Sequence, residues 1–199
     1  PFEPILEGNI IILFLFGGAF LIIFNQNENT QNNSFVTWKF NRNTNKWESS
    51  GTPPKCPALI FETPINLSKV TSILYPGQYR GGNYKPHGGF RYDNPKINNL
   101  KVTSPIAGYV QDGNRRIVSN GAVEYDFDII NPCGIMMRID HITNLSPEFK
   151  KLANRLPKPI KEDSRTTTLT PYVLVKKGEW IGTQIKTDVN FGLDWGVYD

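Results

Sequence analysis

Basic residues are missing from the first part of the chain: no lysine or arginine precedes Lys39. That leading segment carries Glu3, Glu7 and Glu28, so all 22 basic residues lie beyond it, together with the remaining 15 of the 18 acidic ones. A basic excess of this kind favours anionic partners such as cell-wall glycans, nucleic acid or acidic lipid. The sequence has no basic run, RNP-like motif or zinc finger, so we expect no nucleic-acid partner.

Charged residues are also absent from residues 10–24 (IIILFLFGGAFLIIF), an unbroken run of apolar residues and glycines. As a helix this run would be about 22 Å long, shorter than the hydrocarbon core of a bilayer. It suits the apolar part of a signal peptide or a short membrane anchor, with a buried core element as the alternative. Residues 25–34 (NQNENTQNNS) are all polar and predict a flexible spacer. This layout predicts an extracytoplasmic protein, secreted or tethered to a membrane through residues 10–24.

Cysteine is nearly absent, since Cys56 and Cys133 are the only two and neither belongs to a CxxC pattern. Two alternatives stay open: one disulfide, or two buried thiols that pack as small hydrophobic groups. A disulfide would persist in an oxidising compartment outside the cytoplasm. By closing a long loop it would contribute about 3–4 kcal/mol on the chain-entropy model.

The rest of the chain predicts an all-β fold. Residues 35–47 alternate apolar and polar side chains around an Asn-rich turn, which indicates a β-hairpin with Trp38 and Phe40 on one face. Further strand-like segments separated by turn residues are 102–103, 108–111, 123–130, 135–139, 172–175 and 180–184. We expect three parts: an apolar segment with its spacer (1–34), a hairpin and connector (35–75), and a mainly antiparallel β domain (76–199).

One segment has helical rather than strand periodicity. Residues 146–156 (SPEFKKLANRL) begin with Ser146 as a helix cap and Pro147 at the first helical position. Apolar residues then recur at helical spacing, which predicts a short amphipathic helix inserted in the β domain. Pro157 and Pro159 end it, and residues 161–170 predict a mobile loop.

Two short motifs bear on the fold. Residues 102–110 (VTSPIAGYV) have the form V-x-x-P-x-x-G-x-V, and residues 175–182 (VKKGEWIG) have the form V-x-x-G-x-x-I-G. Each predicts a strand, a tight turn and another strand forming a hairpin. Together they resemble the barrel-sandwich hybrid fold shared by lipoyl and biotinyl carrier domains and the lysostaphin-type zinc endopeptidases. Carrier domains present a lysine within Met-Lys-Met or Asp-Lys-Ala, and neither tripeptide occurs here.

The lysostaphin-type peptidases are similar to this chain in the order of further segments. Residues 87–91 (HGGFR) stand where that family has H-x-x-x-D, and residues 138–142 (RIDHI) stand where it has Y-x-H-L. Residues 188–191 (DVNF) occupy the place of H-x-H-F. The resemblance covers about 110 residues, from His87 to Tyr198, and does not extend to residues 1–75.

The resemblance implies a zinc site that has lost most of its ligands. The family holds zinc with the first His, the Asp and the second His of H-x-H, leaving a position for a reactive water. Here His87 is retained, whereas Arg91 and Asn190 replace the other two ligands. Of the two assisting histidines, His141 is retained and Asp188 replaces the other, so these two are the candidate catalytic residues. Because only one of the three zinc ligands is retained, we expect no tightly bound zinc cofactor.

Other carboxylates lie close enough in the sequence to offer an alternative. Asp93 follows Arg91 by two residues, and Asp194 follows Asn190 by four. With His87 and His141 they would form a rearranged metal site, for zinc. The competing interpretation is a hydrogen-bonded polar cluster in which His87 and Arg91 pair with Asp188 or Asp194.

Residues 78–89 (QYRGGNYKPHGG) precede and include the first site motif. Tyr79 and Tyr84, with Arg91 and Asn190, form a predicted binding groove that would contact a glycan or peptide. A glycine-rich turn with surface tyrosines is the alternative.

Three functions follow as expectations. The first is a catalytically degenerate peptidase-like protein that binds a cell-wall or surface polymer or a protein partner. The second is a metallo-endopeptidase with rearranged ligands, with His141 assisting hydrolysis of a peptide bond. The third is a structural envelope protein.

Overall fold

The computed structural model describes residues 36–50, 53–58, 60–187 and 192–198. The predicted apolar segment, 10–24, which would form an N-terminal helix, lies outside these residues, and so does its spacer. Among the described residues, no helix combines the length and the apolar character that a membrane span requires.

The described chain is mostly strand, which confirms the all-β prediction. In chain order its elements are β1 (Thr37–Asn41), β2 (Lys46–Ser50), β3 (Ser72–Leu74), β4 (Gln78–Arg80), β5 (Asn83–Lys85), β6 (Gly88–Arg91), β7 (Asn99–Thr103), β8 (Gly108–Ile117), β9 (Val123–Ile130), β10 (Met136–Ile142), β11 (Asn144–Leu145), α1 (Pro147–Ala153), β12 (Ile160–Lys161), β13 (Thr167–Val175), β14 (Trp180–Ile185) and β15 (Gly192–Tyr198). Every predicted strand is present, most of them longer than predicted.

One large sheet organises the domain, with the strand order β12-β8-β9-β10-β15-β6-β3 and β13 also paired to β8. Its pairings are antiparallel except that of β12 with β8. A second sheet has the order β11-β14-β7, and β1-β2 and β4-β5 are two-stranded hairpins. The path of the large sheet ends at β12 and β3, so it does not close on itself.

The two motifs do not form hairpins, so that part of the prediction is wrong. β7 and β8 flank the turn of the first motif, and β13 and β14 flank the turn of the second. β8 pairs with β13 and β7 with β14, so the motifs pair with each other across two sheets. The glycine of the first motif instead allows a close approach of β8 to β9, because a Cβ on Gly108 would lie 2.1 Å from the carbonyl oxygen of Ile130.

The main hydrophobic core lies between one face of the large sheet, the three-stranded sheet and α1. Side chains that contribute to it from these elements include Leu100, Val102, Phe127, Ile129, Ile139, Phe149, Leu152, Ile181 and Leu193. Helix α1 begins at the predicted cap, where Phe149 N donates a hydrogen bond to Ser146 Oγ. Its short length and its buried face confirm the predicted amphipathic helix. The predicted loop at 161–170 is wrong in part, because β13 already begins at Thr167.

The hairpin β1-β2 packs against the other face of the large sheet. Trp38 is buried, its indole Nε1 donates to Gly134 O, and Gln111 Nε2 donates to Trp38 O. A smaller core around Trp38 contains Val36, Tyr109, Ile130 and Met136. Cys56 and Cys133 form a disulfide, which settles the alternative left open by the sequence.

Candidate functional site

The face of the large sheet that carries the hairpin is lined with charged side chains, and we call it the charged face. Charged and amide residues alternate along its strands, so that they all point to one side. Its members are Asp112, Asn114 and Arg116 on β8, Glu124, Asp126 and Asp128 on β9, Arg138 and Asp140 on β10, and Asp194 on β15. Most of these side chains are buried, Asp128 completely.

Arg116 lies at the centre of the charged face. Its Nη2 donates to Asp140 Oδ1 at 2.8 Å and lies 3.4 Å from Glu124 Oε2, while its Nη1 lies 3.4 Å from Asp126 Oδ2. A guanidinium has five N–H donors and stays cationic, so it can bind several carboxylates at once. Burial opposes its charge, but Asp140, Asp126 and Glu124 raise the pKa of Arg116. The arginine therefore neutralises carboxylates that would be costly to bury alone.

Arg138 has the same role closer to the hairpin. It donates to both carboxylate oxygens of Asp128, at 2.7 and 2.6 Å. Its guanidinium also lies 4.9 Å from the centre of the Trp47 ring, a cation–π contact that links the charged face to β2. Burial raises the pKa of Asp128, an effect that Arg138 counters.

A β-bulge places both Asp140 and His141 on the charged face. In a regular strand consecutive side chains point to opposite sides, but the pairing of β10 with β9 shifts register between Ile139 and Ile142. His141 has a φ of +70°, in the left-handed region that costs a non-glycine residue conformational energy. The bulge and this φ let His141 contact Glu124 while Asp140 contacts Arg116.

His141 lies between two carboxylates. Its Nδ1 is 2.5 Å from Glu124 Oε2, and its Nε2 is 3.5 Å from Asp194 Oδ2. Burial alone would lower the pKa of His141, but Asp140, Asp194 and Glu124 together raise it to about 10. The imidazole is therefore protonated, and cationic, at neutral pH.

His87 reaches the same cluster from the chain just before β6. Its Nε2 lies 2.9 Å from Asp194 Oδ2, so one carboxylate oxygen pairs with both histidines. Burial would raise the pKa of Asp194, but its hydrogen bonds with His141 and His87 hold that pKa below its usual range. The strand register explains the contact, because Asp194 on β15 pairs with Gly89 on β6 and with Asp140 on β10.

The other predicted site residues lie elsewhere or outside the described chain. Asp93 is exposed and accepts a hydrogen bond from Thr71 Oγ1, so the structure places it with Thr71 rather than with His87. Arg91 is half-buried on β6, opposite Gly192. Asp188 and Asn190 lie outside the described residues.

The two tyrosines predicted for the groove lie on the separate hairpin β4-β5. Tyr79 and Tyr84 are exposed and contact each other edge to face, with ring centres 5.8 Å apart. The hairpin is tied to the site by Arg80, whose Nη2 donates to His87 O. The structure thus ties this hairpin to His87 through Arg80, and neither tyrosine ring lines the groove.

A groove lies between the charged face and hairpin β1-β2, with a volume of about 910 Å³. Its lining combines aromatic rings with carboxylates, including Phe40, Trp47, Trp195, Asp112, Asp140 and Asp194. Phe40 is 45% exposed and forms part of the outer wall. Volumes of 300–1,000 Å³ are typical of ligand sites in proteins.

The described residues do not fit the three-ligand zinc site that the resemblance implies. Glu124, Asp140 and His141 each bring one ligand atom within 4.8 Å of the others, the one such group in the described part of the chain. Arg116 Nη2, however, lies within 3.4 Å of an atom of each of these residues. A permanent cation at that place repels a metal ion. His87 is not in the group, and Asp194 already pairs with both imidazoles.

The sequence alone does not predict the charged face, although residues 123–130 carry a signal for part of it. Residues 123–130 (VEYDFDII) were predicted as a strand, and Glu124, Asp126 and Asp128 alternate along it. Three acids on one side of a strand whose other side is apolar indicate a polar layer with a cation beside it. Arg116 carries no such signal, because it becomes central only through the pairing of β8 with β9.

Comparison with protein-family models, with curated proteins and with solved structures finds no match to this chain.

Proposed function

We propose that this chain is a lysostaphin-type peptidase-like protein that acts outside the cytoplasm and binds a cell-surface polymer, or a surface protein partner, without hydrolysing it. The candidate ligand site is the groove between the charged face and hairpin β1-β2. The observation that carries the proposal is the position of Arg116, which contacts Glu124, Asp140 and His141 where a metal would otherwise lie.

The charge state of His141 also favours binding over hydrolysis. A general base must accept a proton near neutral pH. Because the carboxylates around His141 raise its pKa to about 10, its imidazole is already protonated. Its two N–H groups face Glu124 and Asp194, and it has no lone pair with which to activate water.

The strand–turn–strand order of the two motifs supports the peptidase-like fold. The turn of the first motif lies between β7 and β8 and that of the second between β13 and β14, as the resemblance implies, although β7 pairs with β14 and β8 with β13. The fold therefore does not depend on the replaced zinc ligands.

A location outside the cytoplasm is supported by two features. The disulfide between Cys56 and Cys133 is of a kind that persists in oxidising compartments. The apolar run at residues 10–24 and its polar spacer are typical of exported or tethered proteins.

The groove has the chemistry of a carbohydrate or peptide site. Phe40 offers an exposed aromatic face to a sugar ring or an apolar side chain. Asp112, Asp140 and Asp194 offer acceptors for hydroxyl and amide donors. Aromatic rings among many hydrogen-bonding groups suit a sugar or a peptide, because the rings offer a stacking surface while the polar groups fix the orientation of the ligand.

A pull-down on purified cell-wall material tests the proposal. We expect the chain to sediment with the wall fraction, and Phe40→Ala to reduce the bound fraction several-fold. Leu174→Ala is the matched control, because Leu174 is also an exposed apolar strand residue, 81% exposed, and does not line the groove. Equal loss with both variants, or release of soluble wall fragments by the unmodified chain, would contradict the proposal.

The second candidate is a metallo-endopeptidase with rearranged ligands. The observation that favours it is the convergence of His87 Nε2 and His141 Nε2 on Asp194 Oδ2. It requires these three residues to exchange their ion pairs for a metal, which the protonation of His141 opposes. Zinc analysis separates the two candidates.

A further inference from the structure

A second, smaller pocket adjoins the groove at the end remote from His87, and its lining is strongly basic. It has a volume of about 330 Å³ and is lined by Arg42, Arg115, Lys158 and Arg165, with Asp163 as the only carboxylate in that lining. Arg42, Arg165 and Thr166 line both this pocket and the groove, so the two are adjacent. We call the smaller one the basic pocket.

Two of the four cations are held in place by the chain around them. Arg115 Nε and Nη2 donate to the carbonyl oxygens of Pro157 and Leu156, just beyond helix α1. Arg165 forms a two-pronged ion pair with Asp163. A guanidinium carries five donors, so neither set of contacts uses all of them. The side chains are therefore positioned before any ligand arrives, which reduces the entropy lost on binding.

The loop that carries Arg165 is itself fixed to the sheet. Asn114 on β8 donates through Nδ2 to Asp163 O at 3.0 Å and to Arg165 O at 2.6 Å. Asn114 is buried at the edge of the charged face. The basic pocket is thus built on the same strand that carries Arg116, two residues further along.

We propose that the basic pocket binds the anionic group of an acidic glycan, a carboxylate, sulfate or phosphate, whose neutral sugars extend along the groove. This inference rests on the proposed binding function and names the ligand class. Arg and Lys recognise such groups through charge-assisted hydrogen bonds. The pocket has the volume of about ten water molecules, which suits one charged sugar.

The groove beyond the basic pocket has no uniformly basic lining to hold a continuous polyanion. Asp112, Asp126, Asp140 and Asp194 line it together with Lys39 and Arg138. A nucleic acid or a polyglutamate chain would place an anion at every residue along these side chains. A glycan with widely spaced charges can place one anion among the arginines and give hydroxyl hydrogen bonds to the carboxylates.

Oligosaccharides that differ only in charge test the inference. The first probe is a hexasaccharide of alternating glucuronic acid and N-acetylglucosamine, compared with its carboxyl-reduced, neutral form. The second is a sulfated hexasaccharide of the same length, which distinguishes sulfate from carboxylate recognition. Calorimetry on the full chain should show at least one acidic form binding about ten-fold more tightly than the neutral form, a modest gain for two to three exposed cations.

Variants then locate the effect. Lys158→Glu reverses the charge of an exposed residue that lines the basic pocket but not the groove, and should abolish most of the preference for the acidic form while leaving neutral-form binding unchanged. Lys101→Glu is the control, because it makes the same charge change at an exposed residue outside both linings.

Each contrary result overturns the inference. Equal binding of acidic and neutral forms, no binding of either acidic probe, or an equal loss of the preference in the control variant excludes a dedicated anion pocket. Stronger competition by oligothymidylate or polyglutamate would assign the pocket to nucleic acid or acidic protein. If the neutral form binds and its binding depends on Phe40, the proposed groove function holds even when this inference fails. If the chain does not bind cell-wall material at all, the proposed function fails, whatever the result for the basic pocket.

Discussion

Arg116 Nη2 donates a hydrogen bond to Asp140 Oδ1 at 2.8 Å, and the arginine side chain is only 8% exposed. Glu124 and Asp126, at 3.4 Å, complete a cluster in which one buried cation serves three carboxylates. The predictions below concern this cluster, the histidine beside it and the disulfide.

Removing the central cation should strongly destabilise the fold. Arg116→Met keeps much of the side-chain volume but leaves Glu124, Asp126 and Asp140 without their common partner. Removing one partner of a buried ion pair leaves the other charge uncompensated and lowers the free energy of unfolding by roughly 3–5 kcal/mol. Urea unfolding at neutral pH measures the loss, and Arg42→Met, at an exposed arginine, should change the free energy of unfolding by less than about 0.5 kcal/mol. If Arg116→Met also changed the free energy of unfolding by less than about 0.5 kcal/mol, the cluster would not stabilise the fold.

His141 should titrate far above an ordinary histidine. Its carboxylate neighbours raise its pKa to about 10 in the folded chain from an ordinary value of 6.5. The folded state therefore holds this proton more tightly than the unfolded state does. The resulting stabilisation is complete below about pH 6.5 and is lost as the pH rises through about 10.

Imidazole NMR signals measure this titration directly. The chain has two histidines, so the signal that disappears in His141→Gln identifies His141. The free energy of unfolding of the unmodified chain should fall between pH 6.5 and 10 more steeply than that of His141→Gln. A His141 signal that titrates near pH 6.5 would mean that the contacts with Glu124 and Asp194 do not persist in solution.

The disulfide should contribute measurably to stability. Cys56 and Cys133 are 77 positions apart, so their bond closes a long loop and restricts the unfolded chain. Cys56→Ser with Cys133→Ser should lower the free energy of unfolding by about 3–4 kcal/mol. Reduction of the unmodified protein with dithiothreitol should give a similar loss, and should have no effect on the double variant. Two free thiols in the unreduced, unfolded protein would disprove the bond.

The sequence predicted the strands well because their signals are local. Residues 123–130 were predicted as a strand with the bounds that β9 has, and Ser146 was identified as the helix cap. Alternation, turn residues and capping side chains act over a few positions, so one sequence is enough to reveal them. The pairing of β7 with β14 was missed, because turn chemistry does not specify which strands meet across a sheet.

The candidate site was predictable only where the motifs pointed to it. Of the four residues expected in a rearranged site, the structure brings His87, His141 and Asp194 together and leaves Asp93 apart, with Thr71. Arg116 lies 25 residues before His141 and reaches it through the pairing of β8, β9 and β10. A contact of that kind follows from strand register, which no local pattern in the sequence determines. The basic pocket escaped prediction for the same reason, since its cations come from four separate segments.

Zinc content of the purified full chain tests most directly whether the charged face has replaced a metal site. We expect well under one zinc per chain by elemental analysis after dialysis against zinc-containing and then metal-free buffer, and no change in that content for His87→Ala. About one zinc per chain, lost in His87→Ala and in Asp194→Ala, would contradict the account and favour the metallo-endopeptidase.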